Sequence, residues 1–233
     1  MDTAAGLAEA IAGGAGRIEL CQALDLGGLT PSAGLIELAR TSPVPVRAMI
    51  RPRAGDFVFD PAEIDLMRRD IDVVRDADLE GVVIGARTLD GELDMAALRQ
   101  LVEHALGLSV TLHRVVDLLP RVEDAVALAV ELGCRTILTS GGATRAADGV
   151  ERIAAMQRLA AGRIEILPGS GITAQNVGRI VAAAGVSSAH ASCRAPVQSA
   201  QRVAELGFAP PVVGETDRRT VAAILASLRA AVG

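Results

Sequence analysis

The sequence predicts an α/β fold in which one parallel sheet closes into a TIM-type (β/α)8 barrel. Short runs rich in β-branched residues alternate with longer amphipathic runs, and the strand-like runs recur about every 25–35 residues, the spacing of βα units. Half of the 233 residues are apolar, so residues 1–233 can form a single barrel domain. The strand-like runs are 17–21, 46–53, 81–86, 109–114, 136–142, 163–171 and 188–193.

Helix signals separate these runs. The first helix is expected to begin near Thr3, and Asp60 and Asp94 stand where N-cap residues stabilise the start of a helix. Residues 194–217 are predicted as a loop with a short helix, and residues 217–232 as a final amphipathic helix.

The first barrel strand has no counterpart in this chain. A closed barrel of this type has eight strands, and the seven runs leave a gap before the first helix. Two explanations stay open: the chain is truncated at its start, or the gap is closed in another way. An open gap would expose two strand edges, which favours aggregation.

Charge and composition exclude several classes of function. The net charge is −5 and there is no long basic stripe, so no nucleic-acid partner is expected. No stretch reaches about 18 consecutive apolar residues and no signal peptide is recognisable, so we expect a cytoplasmic protein without a membrane partner. All 23 basic residues are arginine, and the absence of lysine excludes Schiff-base chemistry and lysine-anchored pyridoxal phosphate. No organic cofactor is predicted.

Polar side chains gather at the carboxyl ends of the predicted strands, where such barrels carry their active sites. By strand alternation Glu19 and His113 point inward, and Arg51 lies at the same end. We predict these three residues as catalytic, with Glu19 and His113 as an acid–base pair and Arg51 as an anion clamp. The alternative is a buried ionic layer that only fills the barrel.

Glycine-rich turns follow two strands, SGG at 140–142 and PGSG at 168–171. Such turns hold phosphate in many barrels, although any tight connection also needs glycine. With arginines nearby, they predict a small anionic ligand. The predicted ligand-binding residues are Arg53, Arg114, Asp117, Ser140, Gly141, Gly169, Gly171 and His190.

The three cysteines predict free thiols, because their number is odd and they are widely spaced. Cys21 is the predicted metal ligand, since thiolates bind soft cations such as Cu(I). The alternative is that Cys21 is a small buried hydrophobic residue. Cys193 could approach Cys21 across the gap, and Cys134 is expected to be structural.

Several motifs together resemble the CutC family. They run in family order from about residue 2 to residue 194: GGAGRIELC, ALDLGGLTPSAG, AMIRPRAGDF, VVIGARTLDGELD, TLHRVVD, ILTSGGA, GRIEILPGSGI and AHASCR. The resemblance implies a TIM-type barrel, a cytoplasmic homodimer or homotetramer, and a role in copper homeostasis through Cu(I) binding. It also implies cysteine ligands for copper at the ends of the first two family strands. Only the second of these cysteines has a counterpart in this sequence, Cys21.

Two functions therefore stay open. One is a copper-homeostasis protein whose partner is a copper ion. The other is a TIM-barrel enzyme that acts on a small anionic or phosphorylated molecule at the carboxyl ends of the strands. Whether the chain is an enzyme is not decided by its sequence.

Overall fold

The central sheet is parallel and curled, and its six strands follow one another in sequence order. The computed structural model describes residues 1–232. Each strand lies inside one of the first six predicted runs. The strands are β1 (Ile18–Leu20), β2 (Val46–Met49), β3 (Gly81–Ile84), β4 (Ser109–Leu112), β5 (Thr136–Thr139) and β6 (Glu165–Pro168).

Helices follow the strands and cover the outer face of the sheet. Asp60 begins the third helix with a capping box, in which its carboxylate accepts the Glu63 N–H and the Glu63 side chain accepts the Asp60 N–H. Asp94 caps the fourth helix and Thr3 caps the first, as predicted. The helices are α1 (Ala4–Ala12), α2 (Ala33–Ala39), α3 (Pro61–Asp76), α4 (Met95–His104), α5 (Ala125–Leu132), α6 (Val150–Ala160) and α7 (Val177–Ala184).

The two faces of the sheet differ in polarity. Outward side chains such as Leu20, Ile84 and Leu112 are fully buried beneath the helices and form the main core. Inward side chains alternate with them, and at the amino ends of the strands they are polar. Arg47 donates to Thr111 Oγ1 at 2.6 Å and Thr136 Oγ1 at 2.8 Å.

An ionic layer does fill this lower part of the barrel. Arg47 also pairs with Glu80, and Arg17 pairs with Glu165 at 3.0 Å. This layer does not include Glu19, Arg51 or His113, the residues to which the alternative interpretation applied.

The predicted seventh strand, at 188–193, is not a regular strand. Its backbone follows β6 with one hydrogen bond, from the His190 N–H to the Pro168 carbonyl at 2.8 Å. At the opposite edge of the sheet, Met1 lies beside β1: its amino group donates to the Glu19 carbonyl at 2.7 Å, and its carbonyl accepts the Cys21 N–H at 2.7 Å. A gap separates these two edges.

The tail folds next to this gap. The expected short helix is α8 (Gln201–Glu205), and the expected final helix is α9 (Arg218–Val232). The prediction of a loop on both sides of α8 is wrong, because these segments form an antiparallel hairpin of β7 (Arg194–Gln198) and β8 (Val212–Thr216). Helix α9 packs against α7 and α1 and covers the gap from outside. Among residues 1–232, no helix is long and apolar enough to cross a membrane.

Candidate functional site

The structure pairs Glu19 with His190. Glu19 leaves β1 on the inward face, and its Oε1 lies 3.9 Å from His190 Nε2 and 3.7 Å from Cys21 Sγ. His190 is held in place by its backbone bond to β6 and by Gly169, where a Cβ atom would come within 3.5 Å of His190 Cβ. The carboxylate and the imidazole therefore face each other across the gap in the sheet.

A cavity of about 400 Å³ opens beside this pair. Its polar wall is formed by Glu19, His190, Ser192 and Cys193, and its floor reaches Arg47. Its apolar lining comes from α9 and from residues in and around α1 and β1. Pockets of this size, with an apolar wall and a few polar groups, are typical of small-molecule sites.

The arginines predicted to bind an anionic ligand are occupied by the protein itself. Arg53 binds Glu63 and Asp56, which fixes the loop before α3. Arg114 binds Asp117 at 2.7 Å. Arg51 donates to three backbone carbonyls, those of Leu26, Gly28 and Gly55, and so ties together the loops after β1 and β2.

The SGG turn after β5 already holds an internal carboxylate. Asp117 accepts the N–H groups of Ser140 and Gly142, each at 3.0 Å, and the Thr139 hydroxyl at 2.5 Å. The Gly141 N–H is used as well, because it donates to Thr139 Oγ1. The N–H groups predicted to bind a ligand anion in this turn are therefore occupied within the protein, by Asp117 and by Thr139.

The PGSG turn after β6 is different, because part of its backbone is free. The Gly169 N–H donates to the Thr139 carbonyl, whereas the N–H groups of Ser170 and Gly171 have no acceptor in the described chain. Arg145 is exposed and lies against this turn, since a Cβ atom at Gly171 would come within 3.0 Å of Arg145 Cγ. Of the two predicted turns, this one retains donors for an anion.

His113, the predicted acid–base partner of Glu19, makes its contacts with other residues. It is buried, its Nδ1 accepts the Val115 N–H at 3.1 Å, and its ring packs 5.0 Å from the Phe57 ring centroid. Burial and the nearby Arg51 charge lower the pKa of His113 to about 3. The histidine that lies beside Glu19 is thus His190, which the sequence analysis placed only among the ligand-binding residues.

The thiols are free and mostly buried. Cys21 packs in a small inward cluster with Met49 and Val83, and burial raises the pKa of its thiol. Burial also raises the pKa of Cys134 to about 12. Cys193 faces the cavity and is partly exposed. Among residues 1–232, no three His, Cys, Asp or Glu side chains converge as a metal site.

The sequence analysis missed three features of the site: one pairing of residues and two single residues. The pairing of His190 with Glu19 had no signal, because the two residues are far apart along the chain. Arg145 carries no motif of its own. Met49 was visible as an inward position of β2, two residues before Arg51, and this spacing could have placed its thioether near Cys21.

The fold and the position of these groups define a TIM-barrel-like protein with its polar site at the carboxyl ends of the strands. Phosphoribosyl anthranilate isomerase from Thermococcus kodakaraensis superposes with a TM-score of 0.59 over 98% of this chain and 95% of that one, at 14% identity. At this identity the likeness concerns the fold alone, and it confirms the predicted fold class.

The chain belongs to the CutC family. The family model matches residues 1–195. A family protein CutC from Caulobacter vibrioides is 48% identical over 233 residues, covering 99% of this chain and 95% of the relative. A solved Streptococcus agalactiae CutC structure, whose description associates it with copper homeostasis, is 33% identical with a TM-score of 0.73, over 76% of this chain and 88% of that one. The predicted resemblance is confirmed.

Proposed function

We propose that this protein acts on a small anionic molecule in the cavity beside Glu19 and His190. The observation that carries the proposal is the 3.9 Å approach of Glu19 Oε1 to His190 Nε2 on the wall of a ligand-sized cavity. A carboxylate and an imidazole placed together can accept and return a proton during one reaction.

The carboxylate of Glu19 and the imidazole of His190 lie close together without a direct hydrogen bond. At 3.9 Å the atoms are too far apart for a direct hydrogen bond, so each keeps capacity for a substrate proton. Glu19 is fixed by β1, and His190 is positioned by the hydrogen bond from its N–H to the Pro168 carbonyl at the end of β6.

An anionic substrate is supported by the donors nearby. The turn that carries the free N–H groups of Ser170 and Gly171 begins at Gly169, where an added Cβ would lie 3.5 Å from His190 Cβ, and Arg145 lies against Gly171. Backbone N–H groups in a tight turn bind phosphate or carboxylate oxygens well. The substrate class we propose is therefore a small phosphorylated or carboxylated metabolite.

The test is a thermal-shift screen of such metabolites, followed by turnover assays on the hits. Glu19→Gln and His190→Asn should abolish turnover while the variants remain folded. The matched controls are Glu131→Gln and His104→Asn, whose side chains lie on exposed or half-exposed helix surfaces. Turnover that survives in Glu19→Gln and His190→Asn would disprove the proposal.

A second candidate is copper homeostasis through Cu(I) binding at Cys21. Family membership supports it, and so does the contact between Cys21 and Met49, because thiolate and thioether sulfur are ligands that Cu(I) prefers. The fit is limited: the described residues offer one thiol at this position, and burial raises its pKa, so forming the thiolate is costly. The geometry supports the small-molecule site better.

An anaerobic Cu(I) titration against a chromogenic chelator tests this candidate. Stoichiometric binding that is lost in Cys21→Ser and weakened in Met49→Leu would support it, with Cys134→Ser as the buried-thiol control. Equal binding by all four proteins would eliminate Cys21 as the ligand.

We also propose a cytoplasmic homodimer or homotetramer, on the basis of the family resemblance. Light scattering of the purified protein and cell fractionation measure the two properties directly.

A further inference from the structure

Two buried nitrogen atoms without hydrogen-bond partners belong to side chains that pack against one aromatic ring, that of Phe57. Arg51 and His113 are only 5% and 4% exposed, and neither Arg51 Nε nor His113 Nε2 has a hydrogen-bond partner among residues 1–232. The Arg51 Cζ atom lies 4.5 Å from the Phe57 ring centroid, and the His113 ring centroid lies 5.0 Å from it. Buried polar groups are almost always paired, so two orphans at one place call for an explanation.

Both orphan atoms are hydrogen-bond donors. His113 Nδ1 accepts the Val115 N–H, so the proton of the neutral ring is on Nε2. Because the pKa of His113 is lowered to about 3, the ring is neutral at physiological pH and the Nε2–H is a constant donor. Arg51 Nε carries its own N–H. The missing partner must therefore supply oxygen acceptors.

The charge of Arg51 also lacks a counter-ion. Its terminal nitrogens donate to the carbonyls of Leu26, Gly28 and Gly55, and no carboxylate among residues 1–232 forms an ion pair with it. Burial lowers the pKa of Arg51, and the like charge of Arg53 lowers it further. A buried charge without an opposite charge is costly, so the missing partner should be negative.

Phe57 covers this place in a strained conformation. Its φ of 66° is left-handed, which is unfavourable for a bulky aromatic residue. It lies in the loop between β2 and α3 and is half-buried. Strained residues of this kind concentrate at ligand clamps.

We propose that Arg51 Nε and His113 Nε2 bind a carboxylate group beneath Phe57. Two N–H donors and one positive charge match the two oxygens and single charge of a carboxylate. A phosphate has more oxygens and more charge than this pair can satisfy. The proposal concerns a separate group of side chains and does not depend on catalysis by Glu19 and His190.

The experiment follows the imidazole signals of the protein by ¹⁵N NMR. The chain has three histidines, and His104, which pairs with Asp72 away from both proposed sites, serves as the internal reference. Titration with sodium formate, acetate and pyruvate, at ionic strength held constant with chloride, should give a saturable shift of the His113 Nε2–H signal and none at His104. Arg51→Met should weaken this binding at least tenfold, with Arg121→Met as the exposed control.

A Phe57→Leu variant keeps the test decisive if Arg51→Met does not fold. Without the Phe57 ring, the protein should exchange faster between its anion-free and anion-bound forms. The saturable shift of the His113 Nε2–H signal should be retained. Absence of any shift with all three anions, in both wild type and Phe57→Leu, would overturn the proposal. So would a His113 Nε2–H that contacts only bound water whatever anion is added.

Discussion

Replacement of Asp117 by asparagine should destabilise the barrel substantially. The Asp117 carboxylate is 7% exposed and accepts bonds from Arg114 Nε, the Ser140 and Gly142 N–H groups, and the hydroxyls of Thr139 and Ser140. An asparagine side chain of the same shape keeps one acceptor oxygen. Its NH2 group must then face donors that have no other partner.

The magnitude follows from the number of bonds that are lost. Hydrogen bonds to a charged group are worth about 1.5–3 kcal/mol each, and one or two are lost outright. The Arg114 pair is discounted, because the arginine is 40% exposed and solvent screens it. We expect a loss of about 2–4 kcal/mol, which lowers the Tm of a domain of this size by about 4–16 °C.

Differential scanning calorimetry at neutral pH measures this loss. Asp124→Asn is the matched control, because its contact to Arg121 is 3.6 Å long and both side chains are exposed, so its effect should stay within about 0.5 kcal/mol. A Tm for Asp117→Asn equal to that of the control would refute the idea that this carboxylate holds the SGG turn.

Three further outcomes are expected. Arg218 lowers the pKa of Glu9 to about 2 from its ordinary 4.5. The stability that this pair contributes is therefore complete above pH 4.5 and is lost as the pH falls towards 2. An NMR titration measures the pKa of Glu9, and Arg218→Ala should return that pKa towards 4.5. Iodoacetamide should alkylate Cys193 well before Cys21 in the native protein, because Cys21 is 1% exposed with a raised pKa; peptide mass spectrometry reads the order. Gly81→Ala should cost more than about 3 kcal/mol in urea unfolding, because its Cβ would lie 2.1 Å from a carbonyl oxygen of β4.

Each of these outcomes has a contrary result. A Glu9 pKa near 4.5 in the wild type would show that the Arg218 contact does not persist in solution. Equal alkylation rates for the two thiols would show that the β1 end opens readily. Gly34→Ala is the control for the glycine change, because nothing lies within 4 Å of the added Cβ, and it should leave stability equal or slightly higher.

Residue patterns predicted most of the barrel correctly, because its strands are defined by local preference. Runs such as GVVIGA and RIEILPGSG carry β-branched residues between turn glycines, and each contains a strand at the predicted place. The run at 188–193 failed because SAHASC contains no β-branched residue, and only one hydrogen bond to β6 holds it extended. The hairpin of β7 and β8 was missed because two weak strands stabilise each other only when they meet.

The sequence by itself determined the alternation of strands and helices, the inward position of Glu19, the free state of the thiols and the exclusion of lysine chemistry. Only the tertiary structure decided which polar groups meet. It placed His190 rather than His113 against Glu19, filled the SGG turn with Asp117 and left the second turn free. The physical reason is that a backbone pattern is set by neighbours along the chain. The partners of long polar side chains are instead set by proximity in space, which residues as far apart as Glu19 and His190 acquire only after the sheet has curled.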